Sequence, residues 1–156
     1  MPKLDAEARR RLMARFQSTD TRAELALRNA LRRSRLTGYR IHLRTLPGRP
    51  DVAYTRWRLA IFVDGLFWHG HPDAFVFGTK GDYWDAKIRR NQDRDRTVTE
   101  QLSEAAWDVL RLWDRDVLRD PTAAVIAIAE LLARKGHRSA IEVLPARPAS
   151  ASVHVD

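Results

Sequence analysis

Apolar residues recur with a helical period at both ends of this chain, and they alternate or run together in the middle. Ser18-Thr19-Asp20-Thr21 is typical of a helix start, and Asp120-Pro121 is a comparable signal for a last helix. Four helices are predicted, over residues 4–16, 22–34, 83–105 and 122–135, the first of them rich in arginine. The predicted inward positions are Leu25, Leu27, Ala30 and Leu31 in the second helix and Ile88, Val98 and Leu102 in the third.

Four strands are predicted, over residues 39–43, 51–54, 58–63 and 107–112. The first alternates Tyr39, Ile41 and Leu43 with polar residues, whereas the third is apolar enough to be buried on both faces. The order of helix, three strands, helix, strand and helix predicts an α/β single domain, in which a mixed sheet is flanked by helices. The loop over residues 65–82 is long for a compact domain, which indicates a functional role.

The charge balance of the chain indicates an anionic partner. Its 156 residues carry 28 Lys and Arg against 20 Asp and Glu, a net charge of +8. Arginine dominates the cations and five Trp accompany them, which favours nucleic acid over a merely basic surface. The chain has no Cys, which excludes disulfides and thiolate metal sites, so a reducing cytoplasm is the expected location. No apolar run is long enough to span a bilayer, so no membrane partner is expected.

Two carboxylates mark the ends of neighbouring predicted strands. Asp51 follows the turn over residues 46–50 and Asp64 ends the next strand, so an antiparallel pair would place them side by side. Carboxylates are the ligands that Mg²⁺ prefers, and the backbone carbonyl of Val63 could complete such a site. Asp residues are also common in turns without any ligand, and this is the better interpretation of the pair by itself.

Two histidines near Asp64 favour a catalytic interpretation. His69 and His71 follow it in the loop, and either could act as a general base because imidazole titrates near neutral pH. A structural zinc site is the weaker interpretation, because the chain has no Cys and Asp73 is the one further ligand nearby. For His71, a hydrogen bond to the loop backbone is an equally good explanation.

The aromatic residues beside this predicted site could contact bases. Phe67, Trp68 and Trp84 could enter a base stack as a wedge, although burial in the core is the commoner fate of a single Trp. The third helix also carries a charged face that could follow phosphates or simply be solvated. Its members are Lys87, Arg90, Asn91 and Arg94.

Two carboxylates on helices are further candidates. Asp95 lies seven residues after Ile88 on the inward face of the third helix. An inward charge needs a partner, and an active-site histidine is a good candidate. Glu24 is similarly placed in the second helix, although a surface role would be preferred for it on these grounds alone.

Together these residues resemble the very short patch repair endonucleases, which belong to the PD-(D/E)XK nuclease superfamily. The resemblance covers residues 5–118, and it is the order and spacing of the segments that make it specific. The segments are Thr19-Asp20-Thr21 with Glu24, Leu46-Pro47-Gly48-Arg49-Pro50-Asp51, Ile61-Phe62-Val63-Asp64-Gly65 with Phe67-Trp68-His69, Tyr83-Trp84 with Lys87-Ile88 and Asn91, Arg94-Asp95, and Trp107-Asp108-Val109-Leu110-Arg111 with Trp113.

The resemblance implies a restriction-endonuclease-like fold and Mg²⁺-dependent nicking of DNA 5′ to the thymine of a T:G mismatch. Such mismatches arise when 5-methylcytosine deaminates. It makes Asp51 the principal magnesium ligand, His69 the general base and Asp95 the residue that orients this base. Glu24 would support the metal and its water from the N-terminal helix. The wedge beside the mismatch would comprise Phe67, Trp68 and Trp84.

The chain departs from the best-known members of this family in two places. A histidine of the family's active site is Asp64 here, which brings the site closer to the two-carboxylate pattern of the superfamily. The positions of a structural zinc site, held in those members by cysteines and a histidine, are occupied differently. They read Leu66, His71, Asp73 and Arg115, so structural zinc is not expected here.

The predicted partner is double-stranded DNA with a T:G mismatch, bound by a monomer that is functionally linked to a cytosine-5 DNA methyltransferase. A restriction-type endonuclease acting on foreign or modified DNA is the nearest alternative, followed by a DNA-binding protein without catalysis. A protein-interaction module fits the charge least well. Residues 1–18 are predicted to form a basic helical arm, residues 19–137 the endonuclease domain, and residues 138–156 a flexible tail rich in Ala, Pro and Ser.

Overall fold

The computed structural model describes residues 6–8 and 19–145 of the chain. The helices are α1 (Arg22–Arg33), α2 (Asp82–Glu104), α3 (Asp114–Arg119), α4 (Pro121–Arg134) and α5 (Arg138–Val143). The strands are β1 (Arg40–Ile41), β2 (Val52–Tyr54), β3 (Leu59–Asp64) and β4 (Asp108–Trp113). α1 precedes β1, β2 and β3, and α2 then connects β3 to β4, which α3, α4 and α5 follow.

The four strands form one mixed sheet in the order β1-β2-β3-β4. β1, β2 and β3 are successively antiparallel, and Val52 lies opposite Ile61. β3 and β4 run parallel, with Phe62 opposite Arg111 and Asp64 opposite Trp113. A parallel pair needs a long crossover, which α2 supplies. The start of β2 and the ends of β3 and β4 therefore meet at the same edge of the sheet.

Both faces of the sheet are covered, which explains the apolar sequence of β3. On one face, Leu59 and Ile61 belong to the larger core together with residues of α1, α4 and α5. On the other face, Phe62 packs with Val98 and Leu102 of α2. This alternation directs Asp64, two residues after Phe62, towards the side of the sheet on which α2 lies.

The predicted α/β architecture with a mixed sheet is confirmed, and the long helices begin and end within two residues of the predicted bounds. Ile88, Val98 and Leu102 are buried as predicted. Leu25, however, is 45% exposed, because the buried stripe of α1 runs through Ala23 and Leu27 instead. The first strand is shorter than predicted, since His42 has a φ of +46° that ends the extended backbone after Ile41.

The first part of the predicted flexible tail, residues 138–143, is helical instead. Residues Arg138–Val143 form α5, whose Ala140 is fully buried against the core. His137 caps this helix, since its Nδ1 accepts a hydrogen bond from the Ala140 N–H at 3.3 Å. Residues 146–156 and most of the predicted N-terminal arm lie outside the described residues. Within the described part, no helix is both long and apolar enough to cross a membrane.

Candidate active site

A cavity of about 900 Å³ opens at the sheet edge where β2 begins and β3 ends. α1, α2 and the loop between β3 and α2 form its walls. Ten of the residues predicted to act in the site line it: Glu24, Asp51, Val63, Asp64, Trp68, His69, Lys87, Asn91, Arg94 and Asp95. Among the described residues, Phe67, Trp84 and Arg90 belong to the predicted set but not to this lining.

Asp51 lies at the centre of this arrangement, directly before β2. Its Oδ2 accepts a hydrogen bond of 2.7 Å from the Val63 N–H, which confirms that the ends of β2 and β3 lie side by side. Burial raises the pKa of Asp51 to about 6, and the neighbouring charges of Glu24 and Asp64 add to this rise. The hydrogen bond from Val63 and the nearby His42 oppose it. The positive charge near the Asp51 carboxylate thus does not compensate for its burial and for the neighbouring carboxylates.

Asp64 occupies the end of β3 and is 7% exposed. Burial raises its pKa, while His69 and Arg111 act in the opposite direction. Arg111 Nη1 donates to both carboxylate oxygens of Asp64, at 3.1 and 3.0 Å. The second predicted carboxylate is therefore beside Asp51 as expected, but it is paired with a cation that the sequence reasoning did not include in the site.

His69 is held between two carboxylates. Its Nδ1 donates a hydrogen bond to Oδ2 of Asp95 on α2, as the inward position of Asp95 predicts. Its Nε2 lies 3.7 Å from Oδ1 of Asp64. When Nδ1 carries the proton that Asp95 accepts, Nε2 of the neutral ring has a free lone pair, which is what a general base requires.

A second histidine–carboxylate pair lies on the α1 side of the cavity. Glu24 is 5% exposed, and its Oε2 contacts His42 Nε2 at 2.9 Å and accepts the Asp20 N–H at 2.9 Å. The ligand atoms of Asp20, Glu24 and His42 lie within 4.8 Å of one another, a group that could hold a metal ion. The predicted alternation in the first strand gave His42 no role in the site, because its positive φ is not visible in a hydrophobic pattern.

Arg111 is the other site residue that sequence reasoning missed. It lies in β4, opposite Phe62 of β3 in the parallel register, and its guanidinium carbon is 4.4 Å from the centre of the Phe62 ring. The available signal was a cation inside the apolar run of residues 109–112. A charge on the face of the sheet that α2 covers needs a partner, and here the partners are carboxylates of the site.

The aromatic residues predicted as a wedge lie together, with Phe67 and Trp68 at the start of the loop after β3 and Trp84 in the first turn of α2. The ring centres of Phe67 and Trp68 are 5.2 Å apart, and Phe67 and Trp84 are separated by 5.3 Å. The cluster rests on Phe75, which is 3% exposed, at 5.6 Å from Phe67. Phe67, Trp68 and Trp84 are each half-buried, and Trp68 lines the cavity. The structure therefore places the predicted wedge beside the carboxylates.

The charged face of α2 serves two purposes in the structure. Lys87 and Arg94 line the cavity, whereas Arg90 is exposed outside the cavity lining. Asn91 Nδ2 donates to the backbone oxygen of Trp68 at 2.8 Å, and Gln92 Nε2 donates to that of His69 at 3.3 Å. Asn91, predicted to follow phosphates, thus anchors the loop between β3 and α2 to that helix.

Comparison with known proteins decides the family. The family described as DNA mismatch endonuclease Vsr matches residues 1–74. The chain is 41% identical over 126 residues to the type II nicking enzyme V.NaeI of Lentzea aerocolonigenes, which covers 76% of this chain and 74% of that protein. It is 34% identical over 113 residues to the DNA mismatch endonuclease Vsr of Escherichia coli K12, which covers 70% and 71% of the two chains. This chain belongs to the Vsr family.

A third relative extends the match over most of the chain. The type II nicking enzyme V.NmeDIP of Neisseria meningitidis serogroup C is 35% identical over 139 residues, which are 86% of this chain and 93% of that protein. The predicted family and enzyme class are therefore confirmed, and the chain is a Vsr-family DNA endonuclease. The mixed sheet flanked by helices is consistent with the restriction-endonuclease-like fold.

The loop of this Vsr-family chain is also tied to α3, at the positions where the resemblance places zinc ligands in other members. Arg115 Nη1 contacts Asp73 Oδ2 at 2.8 Å, and this hydrogen bond lowers the pKa of Asp73. His71 Nδ1 accepts the Asp73 N–H at 3.1 Å, and its ring lies 4.7 Å from that of Trp113. An ion pair and an aromatic contact therefore connect the segments that a metal would otherwise join.

Gly70 allows the loop of this Vsr-family chain to approach α2. Its φ is +70°, and a Cβ at this position would lie 2.5 Å from Gln92 Nε2 and 2.7 Å from Ile88 Cγ2. Ala at this position combines left-handed strain with overpacking, so Gly70→Ala is expected to lower the free energy of unfolding by about 2–4 kcal/mol. Urea denaturation followed by tryptophan fluorescence measures this change.

Gly78 provides the matched control for this prediction. It also has a positive φ, of +82°, but a Cβ there would meet no atom within 4 Å. Gly78→Ala therefore carries the backbone strain alone, about 1–2 kcal/mol. Equal effects of the two substitutions would contradict the close contact between Gly70 and α2.

Proposed function

We propose that this endonuclease nicks one DNA strand 5′ to the thymine of a T:G mismatch, with Mg²⁺ as its cofactor. The observation that carries the proposal is the cavity that combines Asp51 and Asp64 with the hydrogen-bonded pair of His69 and Asp95. Membership of the Vsr family supports cleavage of DNA, and the names of its relatives support nicking. T:G specificity is supported by the aromatic cluster beside the carboxylates and by the resemblance to mismatch endonucleases.

The residues at the sheet edge fit a divalent cation. Asp51, which is partly buried, and Asp64, which is buried, both have raised pKa values and face the same cavity, and bringing two such charges together is costly unless cations balance them. Carboxylate and carbonyl oxygens are the hard ligands that Mg²⁺ prefers. Asp51 and Asp64 with the carbonyl of Val63 are the proposed ligands. When bound, Mg²⁺ would polarise the phosphate and lower the pKa of a water molecule.

The side chains of the cavity divide the remaining work. His69 Nε2 accepts the proton of the attacking water, while Asp95 holds the Nδ1 tautomer in place. Glu24, kept buried by its contact with His42, supports the metal and its water from α1. Lys87 and Arg94 on the cavity wall offer cations to the DNA backbone, and Arg90 extends this surface outside the cavity.

The aromatic cluster is proposed to open the base stack beside the mismatch. Phe67, Trp68 and Trp84 are in mutual ring contact and half-buried, so they form a rigid edge rather than separate flexible side chains. A rigid aromatic edge can unstack a base step, and a mismatched step costs least to open. A monomer with this one site suits cleavage of a single strand. Because deaminated 5-methylcytosine is the source of such mismatches, a functional link to a cytosine-5 DNA methyltransferase is part of the proposal.

Cleavage of end-labelled duplexes tests the proposed substrate. Three duplexes of one sequence, carrying T:G, T:A or C:G at the same position, are incubated with the enzyme and Mg²⁺, and both strands are followed. A single nick on the thymine strand of the T:G duplex alone is expected. Equal cutting of the paired duplexes would replace mismatch repair by restriction-type activity, and binding without any cutting would indicate a DNA-binding protein.

A further inference from the structure

Arg111 connects the two carboxylates that flank His69. Its Nη1 donates to both oxygens of Asp64, at 3.1 and 3.0 Å, and lies 3.6 Å from Oδ1 of Asp95. Its Nη2 donates to the backbone oxygen of Asp95 at 3.3 Å. One guanidinium therefore contacts a residue of β3 and a residue of α2 on opposite sides of the same imidazole.

The orientation of Arg111 is fixed by further contacts. Its Nε donates to Thr99 Oγ1 at 3.3 Å, and this hydroxyl in turn donates to the Asp95 backbone oxygen at 2.9 Å. Its guanidinium also lies over the ring of Phe62, the residue opposite it in the parallel register. A planar group with five donors can make all these contacts at once, which an ammonium group cannot.

Both carboxylates compete for the same imidazole. Asp95 accepts the hydrogen bond from Nδ1, whereas Asp64 lies 3.7 Å from Nε2. If Asp64 were free of Arg111, its carboxylate could accept a proton from Nε2, and the ring would lose the lone pair that faces the cavity. Because Nη1 donates to both oxygens of Asp64, this carboxylate is the weaker acceptor for the ring, and the contact with Asp95 is the one that determines the ring's orientation.

We propose that Arg111 is a positioning residue for cleavage, which bridges Asp64 and Asp95 on the two sides of His69 and so keeps Nε2 available as the base. This inference rests on the proposed function for the role of His69 and deepens it by one residue. In this role the guanidinium acts through the histidine.

Variants of Arg111 in the full-length chain test this role. Arg111→Met keeps the length of the apolar stem and removes the donors, and Arg111→Lys retains the charge without the planar fork. Arg119→Met is the matched control, since Arg119 is 77% exposed on α3. We expect Arg111→Met to lower kcat for nicking of the T:G duplex about 10–100-fold with KM within about twofold, as for residues that orient a ligand from behind. Arg111→Lys should recover part of the loss, and Arg119→Met should have no effect.

Nuclear magnetic resonance of histidine labelled with ¹⁵N gives a readout that is independent of cleavage. The proton on His69 Nδ1, assigned with His69→Gln, should shift in both Arg111 variants and remain in place in Arg119→Met. An unchanged kcat in Arg111→Met, or a loss of kcat with an unchanged His69 resonance in Arg111→Lys, would overturn the proposal. If the wild-type enzyme leaves T:G duplexes intact, the proposed function fails, and the resonance still shows whether Arg111 positions His69.

Discussion

Cleavage is expected to disappear, and the free energy of unfolding without divalent cations to rise, when Asp51 is replaced by Asn. The amide oxygen of Asn can still accept the Val63 N–H, so the junction of β2 and β3 is preserved. The substitution removes a negative charge from a buried cluster with Glu24 and Asp64, which lowers the cost of folding without a cation. It also removes the principal proposed ligand, so nicking should fall by at least about 10³-fold, since an Mg²⁺ ion supplies several kcal/mol of charge stabilisation.

The gain in stability depends on pH in a direction that follows from the raised pKa. A carboxyl group that titrates at about 6 when folded and at 3.8 when exposed binds protons more tightly in the folded chain. Ionised Asp51 therefore destabilises the protein above about pH 6, and this penalty vanishes as the pH falls towards 3.8. The advantage of Asn should therefore grow as the pH rises from 3.8 through about 6, and it should reach at most about 3 kcal/mol at pH 7.5.

Chemical denaturation at pH 7.5 and pH 4.5 in the absence of divalent cations measures this difference. The matched control is Asp93→Asn, because Asp93 is 70% exposed on α2. Added Mg²⁺ should stabilise the wild-type protein and leave Asp51→Asn unchanged, since binding to the folded state alone raises stability. Wild-type nicking by Asp51→Asn, or a loss of stability at pH 7.5, would remove Asp51 from the proposed centre.

Asp95→Asn is expected to give the second largest effect, a fall in kcat of about 10²–10⁴-fold with KM nearly unchanged. The carboxylate of Asp95 can only accept a hydrogen bond, so it fixes the proton of His69 on Nδ1. The amide of Asn can instead donate to Nδ1, which favours the tautomer with its proton on Nε2 and removes the base. DNA binding should persist, because Asp95 faces inward and the cations on the cavity wall remain.

Single-turnover cleavage of the T:G duplex and binding to the same duplex without Mg²⁺ separate these two effects. Asp93→Asn serves again as the control, since it makes the same chemical change on the same helix at an exposed position. Equal activity of Asp95→Asn and the wild-type protein would show that the His69–Asp95 contact has no part in catalysis. A parallel loss of DNA binding would show that Asp95 maintains the structure of the cavity rather than the orientation of His69.

Short-range patterns predicted much of this site. The two strands joined by a short turn implied that Asp51 and Asp64 would be neighbours, and the structure places them so. The seven-residue spacing from Ile88 implied that Asp95 faces inward, and it meets His69. Both inferences use the periodicity of one element or one hairpin, which a sequence shows directly.

The contacts that the sequence did not reveal depend on longer range or on unusual backbone. Arg111 meets Asp64 because β3 and β4 pair in parallel, and this contact joins residues 47 positions apart, which no local pattern reveals. His42 turns towards Glu24 because its φ is positive, which breaks the alternation on which its exposure was predicted. α5 escaped prediction because its six residues bury chiefly the small Ala140.

The ion pair between Asp73 and Arg115 determines which solution conditions affect the loop of this enzyme. A zinc-tethered loop depends on metal supply and on reduced thiols, whereas this chain has no Cys and fastens the same loop with charges. Chelators and oxidants should therefore leave the loop in place. Both side chains of the pair are exposed, so salt screens them, as it screens contacts to DNA phosphates. Higher ionic strength thus weakens both the attachment of the loop to α3 and the affinity of the enzyme for DNA.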